Sequence, residues 1–306
     1  MAPTGIPIVP AGVRAYLNPG VIRGFSMLPG SERARILITV KAYPAPSERY
    51  GETVCVAGVR IDRLPPTWIR LYPIRFRGMG QELVFRKYDI VEVDVRKRRG
   101  DDPRIESFQP DQQSLQVVGH VDTNGGRWTQ RRTLIRPLIG ATSTCELIRA
   151  NPKGEMAVPA PSLGMIKPIV DAVTVERGNG WTPQQRRKAQ AAAAPSLFDD
   201  APPVLEPMPY RVTYRYHCTD SECLGHRQQC LDWEIGQAGR KWQQMYGVAG
   251  AQQRLREKWE QEICAPERDL YFFIGNQALR RRSFEVLGAW YPKVSSGAEP
   301  DQLAML

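Results

Sequence analysis

The sequence predicts an α+β chain in two parts. A β-rich, barrel-like N-terminal domain precedes a C-terminal α+β domain made of a strand, a Cys/His-rich loop, helices and a β-hairpin. Two observations carry this. Short runs of β-branched and aromatic residues recur between Arg35 and Val118, with Pro or Gly between them, which is the pattern of a small barrel or sandwich. Further on, the alternating run at 210–216 leads straight into a stretch dense in cysteine and histidine, and an apolar spacing of three and four follows it.

Residues 1–32 are rich in Pro and Gly and lack periodicity, so they read as an irregular arm. The β-rich domain spans 33–176. Its strands fall at 36–40, 53–59, 68–77, 90–95 and 115–118. In the third, the apolar positions change parity across Pro73, which cannot donate to a ladder; this reads as a bulge or an edge kink. Residues 127–150 follow helical spacing, with Trp128, Arg131, Arg132, Ile135, Leu138 and Ile139 on one stripe and a second short helix at 142–149. A further strand is expected at 169–175.

Residues 177–209 read as a flexible Pro/Ala linker, because six prolines, four consecutive alanines and a Gln/Arg/Lys patch offer little apolar surface. Its apolar knob is Ser196, Leu197 and Phe198. The C-terminal domain spans 210–293, and 294–306 is a tail. Within it, Leu231, Ile235, Ala238, Trp242, Met245 and Ala249 share a helix face, Gly247 and Gly250 interrupt it, and Leu255, Trp259 and Ile263 resume it. Two strands follow, with a turn at Gly275 and Asn276 and a basic crown at Arg280, Arg281 and Arg282.

Residues 217–230 hold two of the three histidines and three of the six cysteines of the chain. Zinc needs about four soft or borderline donors in a tetrahedron, and a short loop supplies them when donors recur every few residues. Cys218, Cys223, His226 and Cys230 form such a Cys-x4-Cys-x2-His-x3-Cys series, and Gly225 permits a tight turn beside His226. Cys264 and then His217 are the alternatives for the fourth place. Four donors close the site, so the expected cofactor is a structural Zn(2+), and the C-terminal domain is expected to be zinc-stabilised. The series resembles zinc-knuckle modules in its donor set, but those begin with a two-residue gap and this one with four. The resemblance therefore implies chemistry alone. Cys55 and Cys145, each alone on an apolar segment, read as packed thiols.

The chain carries 42 basic and 32 acidic residues, a net charge of +10. That excess favours anionic partners, nucleic acid first among them. The expected contact residues are Arg70, Tyr72, Arg75, Arg77, Arg96, Arg98, Arg131, Arg132, Arg280, Arg281 and Arg282, where guanidinium forks suit phosphate and interleaved rings can stack on bases. The leading expectation is thus a zinc-binding protein that binds DNA or RNA within a larger processing assembly, with other protein subunits as further partners.

Two alternatives stand beside it. One is a metal-dependent hydrolase or nuclease, which requires an open metal site with Glu222, Asp232 or Glu234 as base. The other is a protein-interaction subunit with a purely structural zinc. No nucleophile elbow, Walker loop or Rossmann glycine pattern is present, and no catalytic residue is expected. His120 reads as a turn or packing residue, and Asp232 as a helix cap. No apolar run reaches the ~20 residues that cross a bilayer. Prolines break the first thirty residues, so a cytoplasmic protein with no membrane partner is expected.

Overall fold

The structure is a computed structural model that describes residues 30–47, 51–74, 85–98, 102–154, 158–193 and 204–294. Two expected contact residues, Arg75 and Arg77, and the apolar knob at 196–198 lie outside them. The fold is mixed α+β, with a closed barrel in the N-terminal part and a helix plus β-hairpin region in the C-terminal part.

Seven strands make the first sheet: β1 (Ser31–Lys41), β2 (Ala45–Ser47), β3 (Gly51–Arg60), β4 (Thr67–Ile74), β5 (Asp89–Lys97), β6 (Ser107–Pro110) and β7 (Gln116–His120). The order β1-β3-β4-β6-β5 closes on itself through the β1–β5 pairing, giving a five-stranded barrel; β2 and β7 pair outside the ring. Alternation explains the closure. Ile36, Ile38, Val56, Ile69, Leu71, Val91 and Val93 fill the interior, while Leu37, Ala57 and Val59 point out from the wall. The parity change at Pro73 corresponds to a register shift, where Val54 pairs with Ile74 and Val56 with Leu71.

Helices α1 (Thr129–Ile135) and α2 (Thr144–Ala150) then lead to a second sheet of β8 (Leu163–Ile166), β9 (Ile169–Arg177), β10 (Tyr210–His217), β11 (His226–Cys230), β12 (Tyr271–Gln277) and β13 (Arg280–Trp290). Its order is β8-β12-β13-β11-β10-β9. Helix α3 (Pro183–Ala192) lies between β9 and β10 in sequence, and α4 (Trp233–Arg256) between β11 and β12. One face of the sheet puts Leu163, Met165, Phe273, Leu287 and Trp290 against the outer barrel wall. The other puts Tyr214, Phe272, Ile274 and Val286 under Ala251, Leu255, Trp259 and Ile263. Barrel, sheet and helices form three layers with the sheet in the middle.

Buried polar bridges fasten the barrel to the sheet. Arg70 Nη2 donates to Ser162 O (3.0 Å), and the Ser162 amide and hydroxyl both donate to the Glu106 carboxylate (3.1 and 2.8 Å). Lys87 Nζ, on the barrel side, donates to Asp232 Oδ2 (2.7 Å), whose Oδ1 caps α4 at the Glu234 amide (3.1 Å). No helix among the described residues is long and apolar enough to cross a membrane.

Three expectations need correction. The stretch at 177–209 is not all loose linker, because α3 forms within it. Pro183 at the first helical turn, the Thr182–Gln185 capping box and the alanines favour a helix more than the low apolar content opposes it, and Ala189 is buried. The hairpin turn falls at 278–279 and not at Gly275: Gly275 lies inside β12, where a Cβ would meet Leu287 at 2.7 Å and Arg70 Nη2 at 3.0 Å. Arg280, Arg281 and Arg282 accordingly begin β13 instead of forming a turn. Finally, α4 breaks at Gly247 (φ 68°) as expected, but its buried positions are Ile235, Gly236, Gly239, Ala251 and Leu255, and Met245 is exposed.

Asp102 gives the barrel a testable acid sensitivity. It is 5% exposed and accepts from Arg104 Nε (2.8 Å), Arg104 Nη2 (2.7 Å) and Ser107 Oγ (2.6 Å). Burial alone would raise its pKa, but the Arg104 fork and Ser107 more than offset this and hold it at about 2. A depressed carboxylate stabilises the fold above its unfolded-state pKa of ~3.9, and that stability is lost as pH falls towards 2. Denaturant unfolding should therefore show a loss between about pH 5 and pH 2 to which Asp102 contributes about 2 kcal/mol. In Asp102→Asn that part of the pH dependence should vanish.

Candidate metal centre

Strands β10 and β11 form a hairpin whose loop, 218–225, begins one residue beyond His217 and ends before His226. The loop turns at Gly225 (φ +89°), where a side chain would also come within 3.1 Å of His217 Nε2. The Asp220 carbonyl accepts from the Cys223 amide (3.0 Å) and the Asp220 carboxylate from the Glu222 amide (3.0 Å), which curls the loop back on itself. Cys218 and Cys223 then flank the first residue of β11, His226.

The fourth donor comes from α2. Its Ser143–Glu146 capping box starts the helix, and Cys145 and Arg149, four residues apart, project on one side. Arg149 pairs with Asp220 in the loop (2.9 Å). The Tyr216 hydroxyl bridges Thr144 Oγ1 and Gln228 Oε1, both at 2.8 Å. These contacts hold the helix against the hairpin.

Cys145 Sγ, Cys218 Sγ and Cys223 Sγ lie 3.3, 3.4 and 3.3 Å from His226 Nε2, and all four atoms lie within 4.8 Å of one another. A tetrahedral zinc with Zn–S of ~2.3 Å and Zn–N of ~2.0–2.1 Å places sulfur and nitrogen about 3.6 Å apart. Three sulfurs nearly equidistant from one nitrogen have the layout of such a tetrahedron, so this Cys3His site could hold a metal ion.

Electrostatics prepare the donors unequally. Burial raises the Cys223 thiol, but amide donors at Cys218 (3.2 Å) and Gly225 and the thiols of Cys145 and Cys218 together bring it below its ordinary value. Cys145 goes the other way, pushed up to about 12 by burial and then by its hydrogen bond to Cys223. Burial, then the neighbouring His217, lowers the His226 imidazole towards the neutral form that ligates metal.

The structure brings Cys218, Cys223 and His226 together, and it places Cys230 elsewhere. The expected His-x3-Cys step assumed that a helix begins near Cys230. Strand β11 continues through it instead, and four residues of strand span roughly 13 Å. Cys230 is 1% exposed, opposite Val212 and Val286 in the core, and burial raises its thiol. Cys264 donates to Trp259 O (3.5 Å), and His217 Nδ1 pairs with Asp171 (2.8 Å), so neither joins the site. Cys145, read as a packed thiol, takes the fourth place. The missed signal was a cysteine on a short, well-capped helix, 81 residues from His226.

The expected polyanion-contact residues do not form one face. Arg70, Arg131 and Arg281 are buried. Arg98 pairs with Asp102 (3.7 Å) and lies over the half-buried Tyr72 ring; Arg132 pairs with Asp269 (2.6 Å); Arg282 donates to Asn151 O (2.8 Å). Arg96 and Arg280 are exposed.

Two family profiles match the sequence. One, described as a domain of unknown function (DUF8757), covers residues 140–305. The chain belongs to that family. The match takes in α2, the second sheet and all four clustered donors. A second profile, also a domain of unknown function (DUF8758), covers residues 32–137, the barrel and α1. The two matches meet between α1 and α2, so Cys145 falls on the same family segment as the hairpin. No curated protein matches the chain.

The donor set separates two variants. Cys145→Ser should cut zinc affinity by more than the ~10–100-fold that losing a supporting hydrogen bond costs. Cys230→Ala should keep full metal content and lose only about 1 kcal/mol of stability. Metal analysis of both purified variants, with a thermal melt, checks this.

Proposed function

We propose that Cys145, Cys218, Cys223 and His226 hold one structural zinc ion, and that the chain works as a binding protein and not as a hydrolase built on that metal. The observation that carries this is the set of three sulfurs at 3.3–3.4 Å from His226 Nε2. Four protein donors complete a tetrahedron and leave no position for an activated water. The bases that an open site would require are also misplaced. Asp232 lies at the far end of β11, where it caps α4 and binds Lys87, and Glu222 points its carboxylate into solvent from the loop. When bound, zinc would supply a cross-link between α2 and the β10–β11 hairpin. Free thiols suit a reducing, cytoplasmic setting.

Elemental analysis of the full chain should find one zinc per molecule. Chelation should lower the melting temperature and expose α2 to hydrogen exchange. A chain that contains no metal, takes up none when titrated, and melts unchanged in chelator overturns the proposal.

The net charge of +10 favours a second reading, contact with a polyanion such as DNA or RNA, within an assembly of other subunits. With Arg70, Arg131 and Arg281 buried, the surface for it among the described residues rests mainly on Arg96, Arg280 and the half-exposed Arg132. Two or three phosphate contacts predict that affinity for a labelled single strand falls roughly 7–20-fold between 50 and 200 mM salt. Anisotropy titrations with DNA and RNA strands measure it, and a salt-independent affinity removes this reading.

A further inference from the structure

An open cleft of about 380 Å³ lies where the barrel meets the second sheet, on the side away from the cysteines. Arg131, on α1, forms part of its wall. The guanidinium sits 3.5 Å from the Tyr88 ring centroid and 4.7 Å from that of Trp128, and Nε donates to Val121 O (2.9 Å). Arg131 is only 4% exposed, yet it has no carboxylate within ion-pair distance among the described residues. Every other buried guanidinium or ammonium on this rim is answered: Lys87 reaches Asp232 (2.7 Å) and Glu234 (3.0 Å). Asp89 accepts from His120 Nδ1 (2.6 Å) and from the Arg86 amide (2.7 Å). A nearly dehydrated cation held by two rings, with Asp122 and Glu234 acting on it only from beyond ion-pair distance, gains from an anion supplied from outside. Burial accordingly pulls the Arg131 pKa down.

The backbone around the cleft is strained as well. Among the described residues, three non-glycines have positive φ: Tyr88 (66°), Asn124 (52°) and Trp128 (56°). Tyr88 and Trp128 line the cleft, and Asn124 follows Thr123, which also lines it. Left-handed aromatic residues are uncommon, and two of them here clamp the same guanidinium. The surrounding packing holds them in place: Trp128 meets Trp290 edge-on at 4.9 Å and Tyr88 at 5.3 Å.

We infer that this cleft binds a small phosphate-bearing ligand, with Arg131 as its anchor. The planar fork of Arg131 matches two phosphate oxygens. Arg86, with a side chain 71% exposed at the rim, adds a second guanidinium, and His120, oriented through Nδ1 by Asp89, keeps Nε2 as a further ring nitrogen for the ligand. Two guanidinium groups suit a dianion better than a single carboxylate. The rings of Tyr88, Trp128 and Tyr291 give the wall a flat apolar side on which the organic part of a phosphomonoester can rest. The site involves none of the cysteine cluster, so it stands or falls separately from the zinc proposal.

Calorimetric titration of the full chain with inorganic phosphate, adenosine monophosphate and acetate tests the inference. Phosphate is expected to bind and to raise the melting temperature with concentration, acetate to bind at least tenfold more weakly, and the nucleotide to bind as tightly as phosphate or more so. Arg131→Lys keeps the charge but loses the fork and should weaken phosphate at least tenfold. If that variant does not fold, Arg86→Gln, whose side chain packs against little, should weaken it about threefold. No binding at phosphate concentrations up to about 10 mM, equal affinity for acetate, or unchanged phosphate affinity in the folded variant overturns the inference.

Discussion

The contact between the outer barrel wall and the second sheet is the constraint on which the rest of the molecule depends. A five-stranded barrel this small fills its interior with one set of alternating side chains, and the other set is ordinarily solvated. Here Leu37, Ala57 and Val59 on the outside of the wall are as apolar as the inside, and they need a cover. Phe273, Leu287 and Trp290 provide it. The hairpin of the C-terminal part is therefore structurally a third wall of the N-terminal part. Arg70, Glu106 and Ser162 seal the edge of this contact with buried hydrogen bonds that leave the sheets little freedom to slide.

The cysteine cluster and the arginine cleft lie on opposite sides of that contact and follow from it in different ways. The cluster sits where α2, the connector between the two sheets, comes back to the β10–β11 hairpin. The cleft sits where the lead-in to β5, α1 and the start of α4 meet, with the Lys87–Glu234 pair in its lining. One site gathers three thiols and an imidazole that could hold a metal cation. The other has a cation left over. Both are places where side chains from distant parts of the chain converge, which is why neither could be built on the barrel or the sheet alone.

Much of the fold class was legible in the sequence, because alternation along a strand is a local property. The strands at 36–40, 90–95 and 210–216 were readable for that reason, as was the break in α4 at Gly247. A barrel-like domain was readable too, but the particular pairing that closes it, β1 with β5 across more than fifty residues, was not. At the metal centre, three donors were legible because they share one loop, and Cys145 was not because nothing local marks a ligand on a distant helix. The arginines misled for a related reason. Arg70 looks like a solvated strand position, and its burial is permitted by Cys55 and by Ser162, 92 residues away, which accept its hydrogen bonds. The cap role of Asp232 was readable; its second partner, Lys87, 145 residues away, was not.

The distance along the chain between α2 and the β10–β11 hairpin also dictates a sequence of events during biosynthesis. Cys145 leaves the ribosome 81 residues ahead of His226, which at ~5–20 residues per second is an interval of roughly 4–16 seconds. By then every barrel strand has emerged and can pair, while the connector has no partner to hold. The last of the four donors to be synthesised is also the nitrogen around which the three sulfurs are arranged, so the cluster can assemble only after the thiol of the helix has waited for it.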